Sequence, residues 1–253
     1  MAFGEDRKFS LRTAQMTGAE ARAAPIDAGL REYMLRVYNY MASGLALTGI
    51  IAYATANTPA LLSLFYATSP EGFLQPTMLA WIAMLSPLAF VLALSFGINK
   101  MKASTAQAVF WGFSAVMGLS LAHIFLSYTG TSIARVFFIT SGTFAGMSLY
   151  GYTTKRDLTG LGSFMFMGLI GIIIASIVNM FLQSSAMHFV ISVIGVLVFV
   201  GLTAYDTQKI KNMYSEIDSA DTATKKAIMG ALTLYLDFIN LFLMLLRLFG
   251  ERR

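Results

Sequence analysis

The sequence predicts an all-α integral membrane protein built as a bundle of seven transmembrane helices, and three observations support this prediction. Of the 253 residues, 57% are hydrophobic and only 12% are charged, whereas a soluble domain has about 25% charged residues. Apolar runs of about 20 residues recur along the chain, which is long enough to span a bilayer as a helix. These runs also lack the alternation of an outer-membrane barrel.

Six runs contain almost no charge, and they cover residues 37–56, 77–98, 103–126, 133–152, 161–182 and 187–205. A seventh run, 227–249, is long enough to span but contains Asp237 near its middle. A final segment that enters the membrane and returns is the alternative, but the run has no proline and one early glycine, so a spanning helix is favoured. We therefore divide the chain into a polar cytoplasmic N-terminal segment (1–36), a transmembrane domain (37–249) and a short basic tail (250–253).

Basic residues predict the orientation, because Lys and Arg gather on the cytoplasmic side of a membrane. The N-terminal segment and the second, fourth and sixth loops contain them, whereas the first, third and fifth loops do not. Arg135 breaks this alternation. The N-terminus is therefore predicted to be cytoplasmic. Seven crossings would place Arg252 and Arg253 outside, against the charge rule, so the side of the tail stays open.

Asp206 lies at the cytoplasmic end of the sixth run, in the stretch "GLTAYDTQKIK". A helix C-terminus has partial negative charge, so an acid is poorly placed there and does not act as a cap. One interpretation is an interfacial acid neutralised by Lys209 or Lys211. The other is a functional acid, which the second aspartate favours.

Asp237 lies inside an apolar run, where an unpaired carboxylate would cost several kcal/mol. A neutral Asp hydrogen-bonded to a neighbouring helix, with Tyr235 and Asn240 as other polar groups, is the structural interpretation. Ionisable groups inside membranes also mark ion paths, proton relays and sensors. Asp237 is therefore a candidate for the ion pathway.

The two aspartates meet only in one placement of the seventh run. If the bilayer begins at Ala227, Asp237 lies about 15 Å deep and misses Asp206. If the bilayer begins near Ala231, Asp237 is about 9 Å deep, and modest tilt brings the pair level. Two carboxylates in one dry site share a proton and titrate as a unit, which would make a pH switch. When ionised, they would offer Ca²⁺ oxygen ligands, but only weak binding.

The stretches "GLTAYDTQKIKNMY" and "LTLYLDFINLFLMLLRLFG" resemble the paired signature of the Bax inhibitor-1 family, in particular its bacterial branch. The resemblance implies six helices around a central C-terminal seventh helix, and a proton-sensitive calcium leak. It also implies that Asp206 and Asp237 form the pH-sensing pair that closes the path on the cytoplasmic side.

The family pattern has an arginine at the cytoplasmic end of the second helix, which can bond the first aspartate. Here that region reads "GINKMKAS", and Lys100 is the best match for a latch. Lysine lacks the forked geometry of arginine. This departure from the family pattern weakens the expectation of such a latch.

His123 and Arg135 are weaker candidates near the outer ends of the third and fourth runs. They could pair across the short loop or line an outer vestibule. The alternative is an interfacial histidine and an arginine whose charged end snorkels to the interface.

Three function classes follow. The first is a pH-sensitive calcium or cation leak, and the second is a membrane adaptor that regulates a protease or a cell-death or stress partner. The third is an intramembrane enzyme, which the sequence disfavours because it has no cysteine and only two distant histidines. We expect no cofactor and no nucleic-acid partner; the expected partners are the lipid bilayer, Ca²⁺, protons and a membrane protein such as a protease.

Overall fold

The computed structural model describes residues 5–69 and 74–253, with side chains described from residue 28 onward. The chain is all-α apart from one short hairpin. The elements are, in order, α1 (Glu5–Asn57), α2 (Pro59–Phe65), β1 (Tyr66–Thr68), β2 (Leu74–Pro76), α3 (Met78–Gly97), α4 (Ala103–Ser127), α5 (Gly130–Thr153), α6 (Thr159–Leu182), α7 (Ser185–Asn212) and α8 (Ala220–Phe249).

Each of the seven predicted runs lies in its own long helix, so the predicted fold class is confirmed. Among the described residues, six helices are long and apolar enough to cross a membrane, and α1 together with the bent α2 makes a seventh. The boundary predicted at residue 36 falls inside the continuous helix α1, and the division into domains stays a prediction. Four of the N-terminal basic residues that support the predicted orientation, Arg7, Lys8, Arg12 and Arg22, have side chains outside the described part.

Short polar side chains fix where several helices begin. Thr77 accepts a hydrogen bond from the Ala80 N–H at the start of α3, and Ser219 accepts one from the Thr222 N–H at the start of α8. Such N-caps satisfy backbone N–H groups that have no partner inside the helix. These caps explain why the helices begin in the polar loops beside the apolar runs.

Helix α8 is the centre of the bundle. Inside the bundle, 72% of its apolar stretch is buried, against 11% of the corresponding stretch of α6. Helices α1, α4, α5 and α7 all pack against α8. The predicted central C-terminal helix is therefore confirmed.

The chain end lies beside the loop between α4 and α5. The Thr129 N–H donates to the Glu251 carbonyl oxygen (3.0 Å), and the Arg253 N–H donates to the Ser127 carbonyl oxygen (3.0 Å). At the other end of α8, Asp221 accepts a hydrogen bond from the Ala103 N–H at the start of α4 (2.8 Å). Helix α8 therefore runs from one end of the bundle to the other and does not turn back.

The segment between α1 and α3 is more structured than the sequence predicted. The chain bends by 93° between α1 and α2, and β1 pairs antiparallel with β2. From the sequence, residues 57–76 are expected to form a loop without basic residues. Its short helix and hairpin were missed, because elements of seven and three residues give too little periodicity to read.

Glycines allow some helix pairs to approach closely. A Cβ atom at Gly151 in α5 would overlap the Ala204 carbonyl oxygen of α7, whereas a Cβ at Gly146 in the same helix would have nothing within 4 Å. Small residues have this role in membrane bundles, where no hydrophobic effect drives one helix toward another.

Gly151→Ala should therefore destabilise the fold, while Gly146→Ala should not. Overpacking of the added methyl group at position 151 against a backbone oxygen is expected to lower the free energy of unfolding by about 1–3 kcal/mol. The Gly146→Ala change should leave it unchanged or raise it by up to about 1 kcal/mol, because alanine has the higher helix propensity. Unfolding in detergent, followed by circular dichroism, measures both. Equal stabilities for the two variants would contradict the close contact between α5 and α7.

Candidate functional site

The register between α7 and α8 places Asp206 and Asp237 at one level. Gly230 packs against Ile210, and Gly195 packs against Met244, so the two helices run antiparallel. In this register Asp206 and Asp237 lie within about one helical turn of each other. The structure thus has the placement in which the two acids meet.

The carboxyl groups of Asp206 and Asp237 lie within hydrogen-bonding reach of each other. Their residues are only 9% and 5% exposed. No N–H or O–H donor in the described part of the chain reaches Oδ2 of Asp237. Two carboxyl groups form a hydrogen bond only when one of them is protonated, so a pair at this spacing is suited to share one proton.

The charge of Lys209 acts on Asp206 from one turn further along α7. Its ammonium lies 5.9 Å from the centre of the Tyr205 ring, on the exposed end of the helix. Lys100, the predicted latch, is exposed in the turn after α3 and makes no ion pair within the described residues. Lys209 is thus the cation whose charge acts on the pair in this structure.

The other polar residues near Asp237 in the sequence bond elsewhere. The Tyr235 hydroxyl lies 2.7 Å from the Thr48 hydroxyl of α1, and the Thr48 hydroxyl also donates to the Ser114 carbonyl oxygen of α4 (2.7 Å). Asn240 donates to the Leu236 carbonyl oxygen of its own helix. Tyr235 thus connects α8 to α1, whereas Asn240 bonds only within α8. Neither side chain bonds the Asp237 carboxyl group.

A second set of buried hydroxyls begins at the residue next to Asp206. The Thr207 and Ser148 hydroxyls lie 2.9 Å apart, and Ser148 lies 2.6 Å from the Tyr38 hydroxyl. This chain joins α7, α5 and α1 at the level of the aspartates. Sequence reasoning missed it, since single Ser and Thr residues in apolar runs give no signal of their partners.

Arg135 and His123 do not pair with each other. Arg135 donates to a Glu251 carboxylate oxygen (2.9 Å) and to the Phe249 carbonyl oxygen (3.3 Å). His123 Nδ1 lies 2.9 Å from the Ser120 carbonyl oxygen of its own helix. The basic residue that broke the charge alternation is therefore an exposed partner of the chain end.

Within residues 28–69 and 74–253, no three His, Asp or Glu side chains cluster as metal ligands. Asp206 and Asp237 remain the candidate residues for cation contact. The oxygen atoms of two carboxylates suit a hard cation such as Ca²⁺ but bind it weakly by themselves.

The all-helical spanning bundle with two aspartates buried between its last helices is the architecture that the resemblance implied. The family model described as "Inhibitor of apoptosis-promoting Bax1" matches residues 30–253. This chain belongs to the Bax inhibitor-1 family and is an integral membrane protein.

Bacterial relatives match over nearly the whole chain. This chain is 52% identical to the inner membrane protein YbhL of Escherichia coli K12, over 89% of this chain and 94% of that protein. It is also 52% identical to an uncharacterized protein of Rickettsia prowazekii, over 90% of this chain and 92% of the relative. An uncharacterized protein of Caulobacter vibrioides is 45% identical, over 97% and 98% of the two chains.

Ser148→Ala should destabilise the bundle more than Tyr38→Phe. Loss of Ser148 removes both interhelical hydroxyl contacts, although Thr207 keeps its hydrogen bond to the Thr203 carbonyl oxygen, and should cost about 1–3 kcal/mol. Tyr38→Phe removes one interhelical hydrogen bond, with an expected cost of about 0.6 kcal/mol. Unfolding of both variants in detergent tests this order, and a larger cost for Tyr38→Phe would contradict the central place of Ser148.

Proposed function

We propose that this protein is a pH-sensitive leak for Ca²⁺ or other cations, gated by Asp206 and Asp237. The observation that supports the proposal is the buried contact between the two carboxyl groups where α7 packs against α8. Its N-terminus is cytoplasmic in this proposal, so the pair lies toward the cytoplasmic end.

In the closed state the pair holds one proton. The ionised carboxylate accepts a charge-assisted hydrogen bond from its protonated partner, and such bonds are stronger than neutral ones. Lys209 favours this charged state because its ammonium acts on Asp206. The bond holds α7 against α8 and keeps the path shut.

A second proton opens the path. It removes the negative charge of the pair, so the charge-assisted bond and the attraction of Lys209 are both lost. Helices α7 and α8 can then separate at the level of Asp206. Cations cross there, with Ca²⁺ as the transported ion and not a resident cofactor.

A membrane adaptor is the second candidate function. The description of the matching family as an inhibitor of apoptosis-promoting Bax1 names action on another protein, and the polar segment 1–36 would be the docking surface for a protease or a stress partner. Neither function requires enzymatic activity, and we propose none.

Asp206→Asn and Asp237→Asn should each flatten the pH dependence of the leak. Asparagine keeps the size and hydrogen-bonding capacity of the side chain but cannot bind or release the gating proton. The measurement is Ca²⁺ entry into liposomes containing the purified protein and a calcium dye, over a range of pH.

Asp157→Asn is the matched control. Hydrogen bonds from the hydroxyl and backbone N–H of Thr159 lower the pKa of this exposed loop carboxyl, so it stays ionised and should not contribute to gating. An unchanged pH profile in both Asp206→Asn and Asp237→Asn would rule out the aspartate gate. A complete absence of leak in the wild type would favour the adaptor.

Lys209→Gln should shift opening to higher pH, whereas Lys100→Gln should leave the profile near that of the wild type. Without Lys209, the charged state of the pair loses a stabilising charge, and the second proton binds more readily. The same liposome assay measures the midpoint. A shift in Lys100→Gln alone would show that Lys100 is the latch after all.

A further inference from the structure

A lateral groove runs along the bundle between α1 and α5. A cavity of about 400 Å³ lies between the first half of the described part of α1 and the last turns of α5, and Phe144 lines both it and the next cavity, of about 560 Å³. A third cavity, of about 270 Å³, shares Gly49, Phe137 and Phe238 with the second. Phe238 belongs to the central helix α8.

The groove exists because α1 packs closely against α4 and α8 but not against α5. Toward α4, a Cβ atom at Gly118 would lie 2.8 Å from the Thr48 carbonyl oxygen, whereas a Cβ at Gly49 would have nothing within 4 Å. Helix α1 thus contacts α4 tightly and leaves a space toward α5. Most residues that line this space are apolar.

The groove has the length and the surroundings for an acyl chain. From Arg31 to Ile50, both of which line it, α1 rises about 28 Å at 1.5 Å per residue. The hydrocarbon core of a bilayer is about 30 Å thick, so the acyl chains of one leaflet occupy about 15 Å of it, and the groove is long enough for such a chain. Within a bilayer, a space with this apolar lining favours an acyl chain over water.

One end of the groove has basic side chains. Arg31 lines the first cavity and makes no ion pair within the described part of the chain. Tyr152 lines the same end, and the Lys211 ammonium donates to its carbonyl oxygen (2.7 Å) and lies 5.0 Å from the centre of its ring. Cations at the end of an apolar groove match a phosphate above its acyl chain.

We infer that the groove between α1 and α5 is a binding site for an acidic phospholipid, with one acyl chain along Phe144 and Gly49 and the headgroup phosphate at Arg31. The Tyr38 and Ser148 hydroxyls that line the same end already bond each other. Among the described residues that line this end, Arg31 is the charged one, and no described residue forms an ion pair with it, so its guanidinium can bind the phosphate.

Native mass spectrometry tests this site. The full chain is reconstituted in vesicles of equal parts phosphatidylglycerol and phosphatidylcholine, extracted into mild detergent, and weighed with its retained lipid. Wild type should retain phosphatidylglycerol preferentially. Gly49→Trp and Ala145→Trp should lose it, since both positions line the groove. Ile173→Trp, at an exposed position of α6, is the control and should retain it.

Arg31→Gln tests the headgroup contact without changing the groove. It should weaken the preference for phosphatidylglycerol about five-fold, while Lys100→Gln, an exposed cation elsewhere, should not. Equal retention in the wild type and both tryptophan groove variants would overturn the proposal. Wild type that retains no phospholipid, or that is found as a dimer without lipid, would also overturn it, the latter in favour of a second copy in the groove.

Discussion

Two carboxyl groups buried in one helix contact need a proton between them, and the arrangement of the bundle depends on that need. Burial of two negative charges side by side would push α7 and α8 apart, because little solvent screens them. When one of the two carboxyl groups is protonated, it can donate a hydrogen bond to the other, and the two groups attract each other. Since α8 contacts α1, α4, α5 and α7, a change at this one pair acts on the helix around which the bundle is assembled.

The remaining polar contacts restrict how the bundle can respond. At the first turn of α8, Asp221 bonds the start of α4, and just after its last turn Glu251 bonds Arg135 of α5. Both ends of α8 are therefore held by neighbouring helices. In the interior, Tyr235 bonds Thr48 on the α4 side of α1. A movement that separated α7 from α8 at Asp206 would therefore leave α8 attached to α1, α4 and α5.

The sequence was sufficient to predict the helices and to select the two aspartates as candidates, because hydrophobic runs and an acid within or beside such a run are local signals. The central position of α8 was implied by the family resemblance and not by those signals. The sequence was not sufficient to predict which side chains contact each other between helices. Whether Asp237 meets Asp206 depends on the register of α7 against α8, which packing at Gly230 and Gly195 sets. Arg135 and Glu251, which form an ion pair, are 116 residues apart. Such pairings arise from tertiary packing and leave no periodic trace.

The groove and the aspartate pair share a structural connection. Ser148 lines the groove and bonds both Tyr38 of α1 and Thr207, the residue next to Asp206. If α7 moved away from α8, the Thr207–Ser148 contact would have to stretch or α5 would have to follow. Helix α5 has room to move on its α1 side, because the groove leaves open space at Gly49. The loosely packed side of the bundle thus lies where α5 could follow a movement of α7, and the lipid in that space would be displaced with it.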